Sequence, residues 1–262
     1  ASEPYLGPTC ERLARTWAQP VTPVSVDPER VRHPISARTL RQDVHAHRAW
    51  LHPDVYRDFV QRVVLLGAES SGKTTLAEAL AQAEGTVWVP EHGRERWLAC
   101  GGQLTLQDLV DIAHTQIAHE EARLPQAHRW LVCDTSPLTT WGYAAWMFQQ
   151  QPPELTQAAM RRYDLIVLSH VAEHLRDLQS LPHLAQLLTP EGKLYIEVPH
   201  PAGYTCGERP PYYYFDSEHI NHFSAQALAR LLAPVGLLLH SAEAVSLTLS
   251  DGGHYPALIA VQ

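Results

Sequence analysis

The densest chemistry in this chain of 262 residues is the run Gly67-Ala68-Glu69-Ser70-Ser71-Gly72-Lys73-Thr74-Thr75. Its spacing is G-x-x-x-x-G-K-[ST], in which two glycines let the backbone curl until successive N–H groups converge on phosphate oxygens. Lys73 would reach the β- and γ-phosphates of ATP, and the Thr74 hydroxyl would take a place on Mg²⁺. Gly67, Ser70, Ser71, Gly72 and Thr75 complete the cradle. Asp134 ends the apolar run Trp130–Cys133, where a carboxylate supports the same metal directly or through water. Glu91 and Arg94 follow a second short run, Thr86–Val89. Glu91 is suited to accept or orient a substrate hydroxyl proton, and Arg94 to hold phosphate or ribose. The expected catalytic set is therefore Lys73, Glu91 and Asp134, with Thr74 and Asp134 on the metal.

A second candidate constellation is His170, Glu173 and His174, an H-x-x-E-H zinc pattern. On a helix, His170 and His174 would share a face one turn apart, with His219 or His222 completing a site.

These residues need a scaffold, and the apolar periodicity supplies one. Val63–Leu66, Thr86–Val89, Trp130–Asp134, Asp164–Leu168 and Leu194–Val198 read as buried strands. Between them lie helical patterns, one with Leu76, Leu80 and Ala83 on a single face after the glycine loop. Another is opened by a capping box at Thr105 and carries Leu106, Leu109, Val110, Ala113 and Ile117. A third follows Ser136-Pro137 with Trp141, Tyr143, Trp146 and Phe148, rings that would border a pocket or pack the core. Leu237–Val245 and Tyr255–Val261, joined near Asp251-Gly252-Gly253, read as an antiparallel hairpin. The alternation specifies an α/β fold with a mainly parallel, doubly wound sheet and an antiparallel C-terminal hairpin. In such sheets, polar residues just past the carboxyl ends of strands meet the ligand.

Residues 1–60 differ: Pro4, Pro8, Pro20, Pro23, Pro28, Pro34 and Pro53 mark a loop-rich arm, with short helices near Glu11–Ala18 and Pro53–Gln61. Within it, Ile35–Arg41 carries hydroxyls and two arginines that could grip phosphate. The net charge of −8 and sequence pI of about 6.0 give no basic field for a nucleic acid. No apolar run approaches the roughly 18 residues that span a bilayer. Four cysteines, Cys10, Cys100, Cys133 and Cys206, are scattered without metal spacing, as in a reducing cytoplasm. No signal-peptide pattern opens the chain at Ala1.

The arm's Ser2-Glu3-Pro4-Tyr5, Val26-Asp27-Pro28, Pro34-Ile35-Ser36 with Arg41, and Asp43 with His45-Ala46-His47 resemble the end of an adenylyltransferase domain. The family is the bifunctional nicotinamide-nucleotide adenylyltransferase/ribosylnicotinamide kinase. The arm carries no His-x-x-His nucleotidyl-transfer motif, so it reads as a remnant that packs without catalysing, or as a solvated linker. Residues 61–163 resemble the kinase half, through Glu69–Thr75 and through Asp134-Thr135 followed by Thr139-Thr140. That resemblance implies NAD biosynthesis, a small nucleoside or nucleotide substrate, and a substrate-side role for Glu91, Arg94 and Thr135. The lid arginines expected after the fourth strand are replaced, Arg176 being the nearest candidate.

Residues 164–262 resemble the C-terminal half of a class I S-adenosylmethionine-dependent methyltransferase, through Ser169–Leu175, Leu188–Pro199 and Phe215–Ser224. The resemblance accounts for His170, Glu173 and His174 without a metal, and it lacks the Gly-rich turn and ribose-binding acid that hold the cofactor. Both parent families place the fourth strand beside the first, so the halves are expected to share one sheet. The expected activity is phosphoryl transfer from Mg-ATP to a nucleoside-type hydroxyl, impaired by loss of the lid. A methyltransferase-like protein and a non-catalytic hybrid that only binds nucleotide are the alternatives.

Overall fold

A computed structural model describes residues 6–24, 31–69, 71–205, 215, 219–248 and 253–261. Ser2–Tyr5, Val26–Pro28, Ser70, Cys206, Asp216–Glu218 and Asp251-Gly252, all used in the sequence reading, lie outside the described residues. Among those described, no helix is long and apolar enough to cross a membrane.

The chain divides into two compact units, Ala1–His52 and Pro53–Gln262. The first holds α1 (Leu6–Trp17) and α2 (Ala37–Gln42). The segment expected to grip phosphate is α2: Ser36 caps it, accepting from Thr39 N–H at 2.9 Å, and the Ser36 and Thr39 hydroxyls share a 2.7 Å hydrogen bond. Those hydroxyls thus serve the helix end.

The second unit begins with α3 (Pro53–Tyr56), tied to the sheet because Arg129 N–H donates to the Tyr56 hydroxyl at 3.1 Å. Its strands are β1 (Gln61–Leu66), β2 (Trp88–Val89), β3 (Trp130–Asp134), β4 (Tyr163–Ser169), β5 (Leu188–Pro199), β6 (Ser241–Thr248) and β7 (His254–Val261). They form one seven-stranded sheet in the order β2-β3-β1-β4-β5-β7-β6. The first five are parallel, and β7 runs antiparallel to both β5 and β6. The mixed, mostly parallel sheet with an antiparallel end pair is the architecture read from the sequence.

The helices are α4 (Lys73–Ala83), α5 (His92–Ala99), α6 (Leu106–Arg123), α7 (Pro137–Phe148), α8 (Pro153–Ala159), α9 (Ser180–His183) and α10 (Ala225–Leu232). Val63 and Leu65 of β1 pack with Ala77 and Ala81 of α4. Val64, on the opposite face by strand alternation, is buried as well. Burial on both faces is why β1 reads as a continuous apolar run. A second core joins Leu109, Ile112 and Ala113 of α6 to Ala144 of α7 and Leu155 of α8. Thr105 and Asp108 form the expected capping box at the start of α6.

An ion cluster fastens α6 to the strand ends. Arg161 pairs with Glu120, which is fully buried, and its Nη2 donates to Glu121 Oε1 at 2.6 Å. Arg62 reaches Glu121 at 3.2 Å, Arg57 joins the same carboxylate, and the Tyr163 hydroxyl donates to Glu120 at 3.2 Å. Removing one member strands a buried charge. Arg161→Ala is therefore expected to cost about 3–5 kcal/mol in a urea titration, and a loss below about 1 kcal/mol would show the cluster to be solvated.

Candidate functional site

The phosphate loop connects the carboxyl end of β1 to the N-terminus of α4, with Lys73 in the first position of that helix. Gly72 precedes it at φ 84°, a left-handed conformation that favours glycine. Gly67 is needed for closeness: a Cβ there would lie 3.0 Å from Ser71 Oγ and 3.0 Å from Val171 Cγ2. The Ser71 hydroxyl and the Lys73 ammonium both donate to Ala68 O, at 2.8 and 2.6 Å.

β3 delivers the carboxylate. Leu65 and Asp134 are register partners, and the Thr74 hydroxyl donates to Asp134 Oδ2 at 2.6 Å. Asp134 is fully buried, and its Oδ1 has no hydrogen-bond partner among the described residues. A buried anionic oxygen without a donor needs a cation or water. Together with the adjacent Thr74 hydroxyl it is the hard oxygen donor set that Mg²⁺ prefers, so these residues fit the ion implied by the loop.

Thr135 follows at φ 80°, its N–H donating to Leu65 O at 3.2 Å and its buried hydroxyl without a partner among the described residues. A β-branched residue in the left-handed region is strained, and such strain gathers at sites where the backbone is used.

Two contiguous cavities open here. One of about 280 Å³ is bounded by Gly67, Glu69 and residues 71–75 of the loop, with Glu91 and Arg94 also in its wall. A larger one of about 450 Å³ shares Glu69, Glu91, Arg94, Thr135 and Tyr143, and extends between Trp97, Leu109, Ile112 and Trp146. Lys73, Glu91, Arg94 and Thr135, singled out in the sequence, thus line one space, while Asp134 is buried and reaches it only through Thr74. Arg176 is exposed and lines neither cavity.

Burial raises the Glu91 carboxyl above its ordinary range, Asp134 adds to the rise, and Lys73 and Arg94 oppose it. At the exit of β4, His170 bonds Glu173 Oε1 through Nδ1 at 3.0 Å and Glu197 Oε1 through Nε2 at 3.2 Å. Burial disfavours its charge, but these two hydrogen bonds outweigh it and push the pKa up to about 9. This corrects the helical zinc reading: Ala172–His174 is a 3-10 turn preceded by His170 at φ 52°, so His170 and His174 share no helix face.

Gln116 was missed in the sequence, and Tyr143, named there as a ring bordering a pocket or packing the core, makes a further contact through its hydroxyl. The Tyr143 hydroxyl donates to Glu69 Oε1 at 2.8 Å, closing the loop against α7. Gln116 is buried in the wall of the larger cavity; its Oε1 accepts His92 N–H at 3.0 Å, while Nε2 has no partner among the described residues. Its signal was present, for Gln116 lies on the apolar stripe of α6, seven residues beyond Leu109.

Strand, glycine loop and helix define a phosphate-loop domain, and residues 62–180 match the family model described as an AAA domain. Over 170 residues the chain is 30% identical to the trifunctional NAD biosynthesis/regulator protein NadR of Salmonella typhimurium, an alignment covering 60% of this chain and 41% of that protein. The chain thus spans well under half the length of this curated relative. Among solved structures, the NadR protein in complex with NAD and AMP-PNP superposes with a TM-score of 0.49 at 22% identity, covering 62% of this chain and 52% of its own. A SAM-dependent methyltransferase from Methanosarcina mazei superposes with a TM-score of 0.40 at 11% identity, covering 80% and 96%.

Gly72 supplies a test of the loop's backbone. A Cβ at this position meets nothing within 4 Å, so Gly72→Ala isolates the dihedral penalty. It is expected to lower unfolding stability by about 1–2 kcal/mol, and an unchanged denaturation midpoint would mean that the loop adopts another conformation in solution.

Proposed function

We propose that this chain binds ATP with Mg²⁺ on the Gly67–Thr75 loop and transfers the γ-phosphoryl group to a hydroxyl of a nucleoside-type substrate, as a ribosylnicotinamide kinase does. The observation that carries this reading is the position of Glu91: it lines both cavities, between the loop that would hold the phosphates and the apolar space that would take the acceptor. In support, the relative that shares 30% identity is an NAD biosynthesis protein.

Loop amides and the N-terminus of α4 would hold the β- and γ-phosphates, with Lys73 leaving Ala68 O for phosphate oxygens. Thr74 and Asp134 would hold Mg²⁺, which when bound neutralises phosphate charge. Arg94 and Thr135, which line both cavities, would orient the acceptor. The acceptor oxygen attacks the γ-phosphorus, the bond from that phosphorus to the bridging oxygen breaks, and ADP departs with the electron pair. The proton of the attacking hydroxyl passes to Glu91, a stronger base for its raised pKa.

Lys73→Ala is expected to remove most ATP affinity in calorimetry while the protein stays folded; unchanged affinity would refute the assignment of the loop. With nicotinamide riboside as acceptor, Glu91→Gln is expected to lower kcat roughly 10²–10⁴-fold with ATP affinity retained. Because Glu91 acts as its carboxylate and its pKa is raised, wild-type kcat/KM is expected to fall with decreasing pH at a higher pH than an ordinary glutamate gives, and Glu91→Gln should lose that limb. Titration of one sample with ATP and with S-adenosylmethionine separates this reading from a methyltransferase: heat from ATP alone is expected, and micromolar binding of S-adenosylmethionine would favour the other.

A further inference from the structure

The turn at the exit of β4 gathers a different set of donors from the one its sequence spacing suggests. The ligand-competent atoms of Glu173, His174 and His219 all lie within 4.8 Å of one another, and the two imidazole centroids are 5.0 Å apart. Glu173 is fully buried; its Oε1 accepts from His170, and its Oε2 has no hydrogen-bond partner among the described residues. His219 is not there by loose approach. Asn221, two residues on, clamps the segment to the turn, its N–H donating to Glu173 O at 3.0 Å and its Nδ2 to Leu175 O at 2.6 Å.

We propose that Glu173, His174 and His219 form a binding site for a divalent transition-metal ion of the zinc class, separate from the Mg²⁺ position at Thr74 and Asp134. Two imidazoles and a carboxylate are the donor set of open zinc sites, whereas hard Mg²⁺ prefers oxygen alone. A tetrahedral ion with bonds of about 2.0–2.2 Å sets its ligands roughly 3.3–3.5 Å apart, so the three groups need close by little more than an ångström. His170 and Glu197 stand behind the carboxylate and fix its orientation, as outer partners of metal ligands do. The buried oxygen of Glu173 gains the partner it lacks. The ion would fasten the His219–Asn221 segment to the turn just after Val171, the residue whose methyl abuts Gly67 of the phosphate loop.

The test is calorimetric titration of the chelator-treated full chain with ZnCl₂, followed by CoCl₂ as a spectroscopic probe. One equivalent of Zn²⁺ is expected to bind with micromolar or tighter affinity and to resist excess MgCl₂. Co²⁺ is expected to give the visible absorption of a four- or five-coordinate ion. His174→Ala and His219→Ala, each checked for folding by circular dichroism, are expected to weaken Zn²⁺ at least ~100-fold and abolish the Co²⁺ band, whereas His222→Ala should do neither. X-ray absorption of the zinc-loaded wild type needs no variant and is expected to count two imidazoles. Absence of stoichiometric binding by the folded chain, displacement by Mg²⁺, affinity undiminished in both variants, or a shell without histidine would each overturn the proposal.

Discussion

The parallel pairing of β1 is the constraint on which the site rests. Its partners are β3 on one edge and β4 on the other, and the registers Leu65 with Asp134 and Leu66 with Leu168 set the height of everything beyond the strand ends. Asp134 meets the Thr74 hydroxyl because its strand ends level with the start of the loop. The backbone bond from Thr135 N–H to Leu65 O locks that level. A slip of one residue would turn Asp134 to the opposite face of the sheet and leave Thr74 without its partner.

The second edge of β1 matters as much, because a buried apolar strand with an unpaired edge invites association. It is closed by β4. Asp164 makes the join specific: Oδ2 accepts the backbone N–H of Arg62 at 2.8 Å, and Oδ1 accepts the Thr189 hydroxyl at 2.9 Å. One carboxylate thus fastens β1, β4 and β5 near their entry ends. Arg161, Glu120 and Glu121 seal the same end of the sheet with charge, leaving the carboxyl end open for ligands.

What was legible in the sequence is what local chemistry determines. The glycine spacing, the apolar runs of β1 and β3 and the capping box at Thr105 follow from residue types, and β4 beside β1 was expected from the family resemblance. Boundaries moved where a side chain competes with the backbone. Thr86 was expected to begin β2, but its hydroxyl donates to Trp130 O at 2.6 Å, and regular pairing starts only at Trp88. β5 begins earlier than the run Leu194–Val198 because a register shift between Tyr163 and Leu165 lets Leu188 pair as well. Contacts that depend on helices meeting across the fold, such as Tyr143 with Glu69 and Gln116 with His92, leave no spacing to read. The H-x-x-E-H pattern presumes a helix, and the chain makes a single 3-10 turn there.

The charges at the carboxyl end of the sheet decide what can serve the phosphates. The segment after β4 offers His170. Its positive charge is already engaged, since His170 lies between Glu173 and Glu197, and Glu197 also accepts from the Tyr195 hydroxyl at 2.9 Å. The hydrogen bond to His170 holds the Glu197 carboxyl below its ordinary range, so the pair is ionised together. A cation held by two carboxylates presents little field to a third anion. Among the described residues, Lys73 and Arg94 are the cations in the cavity walls, facing Glu69 and Glu91. With the two signs balanced in the walls, side-chain charge alone gives little pull on a phosphate, which would leave the α4 N-terminus and a cation beside Asp134 to supply it.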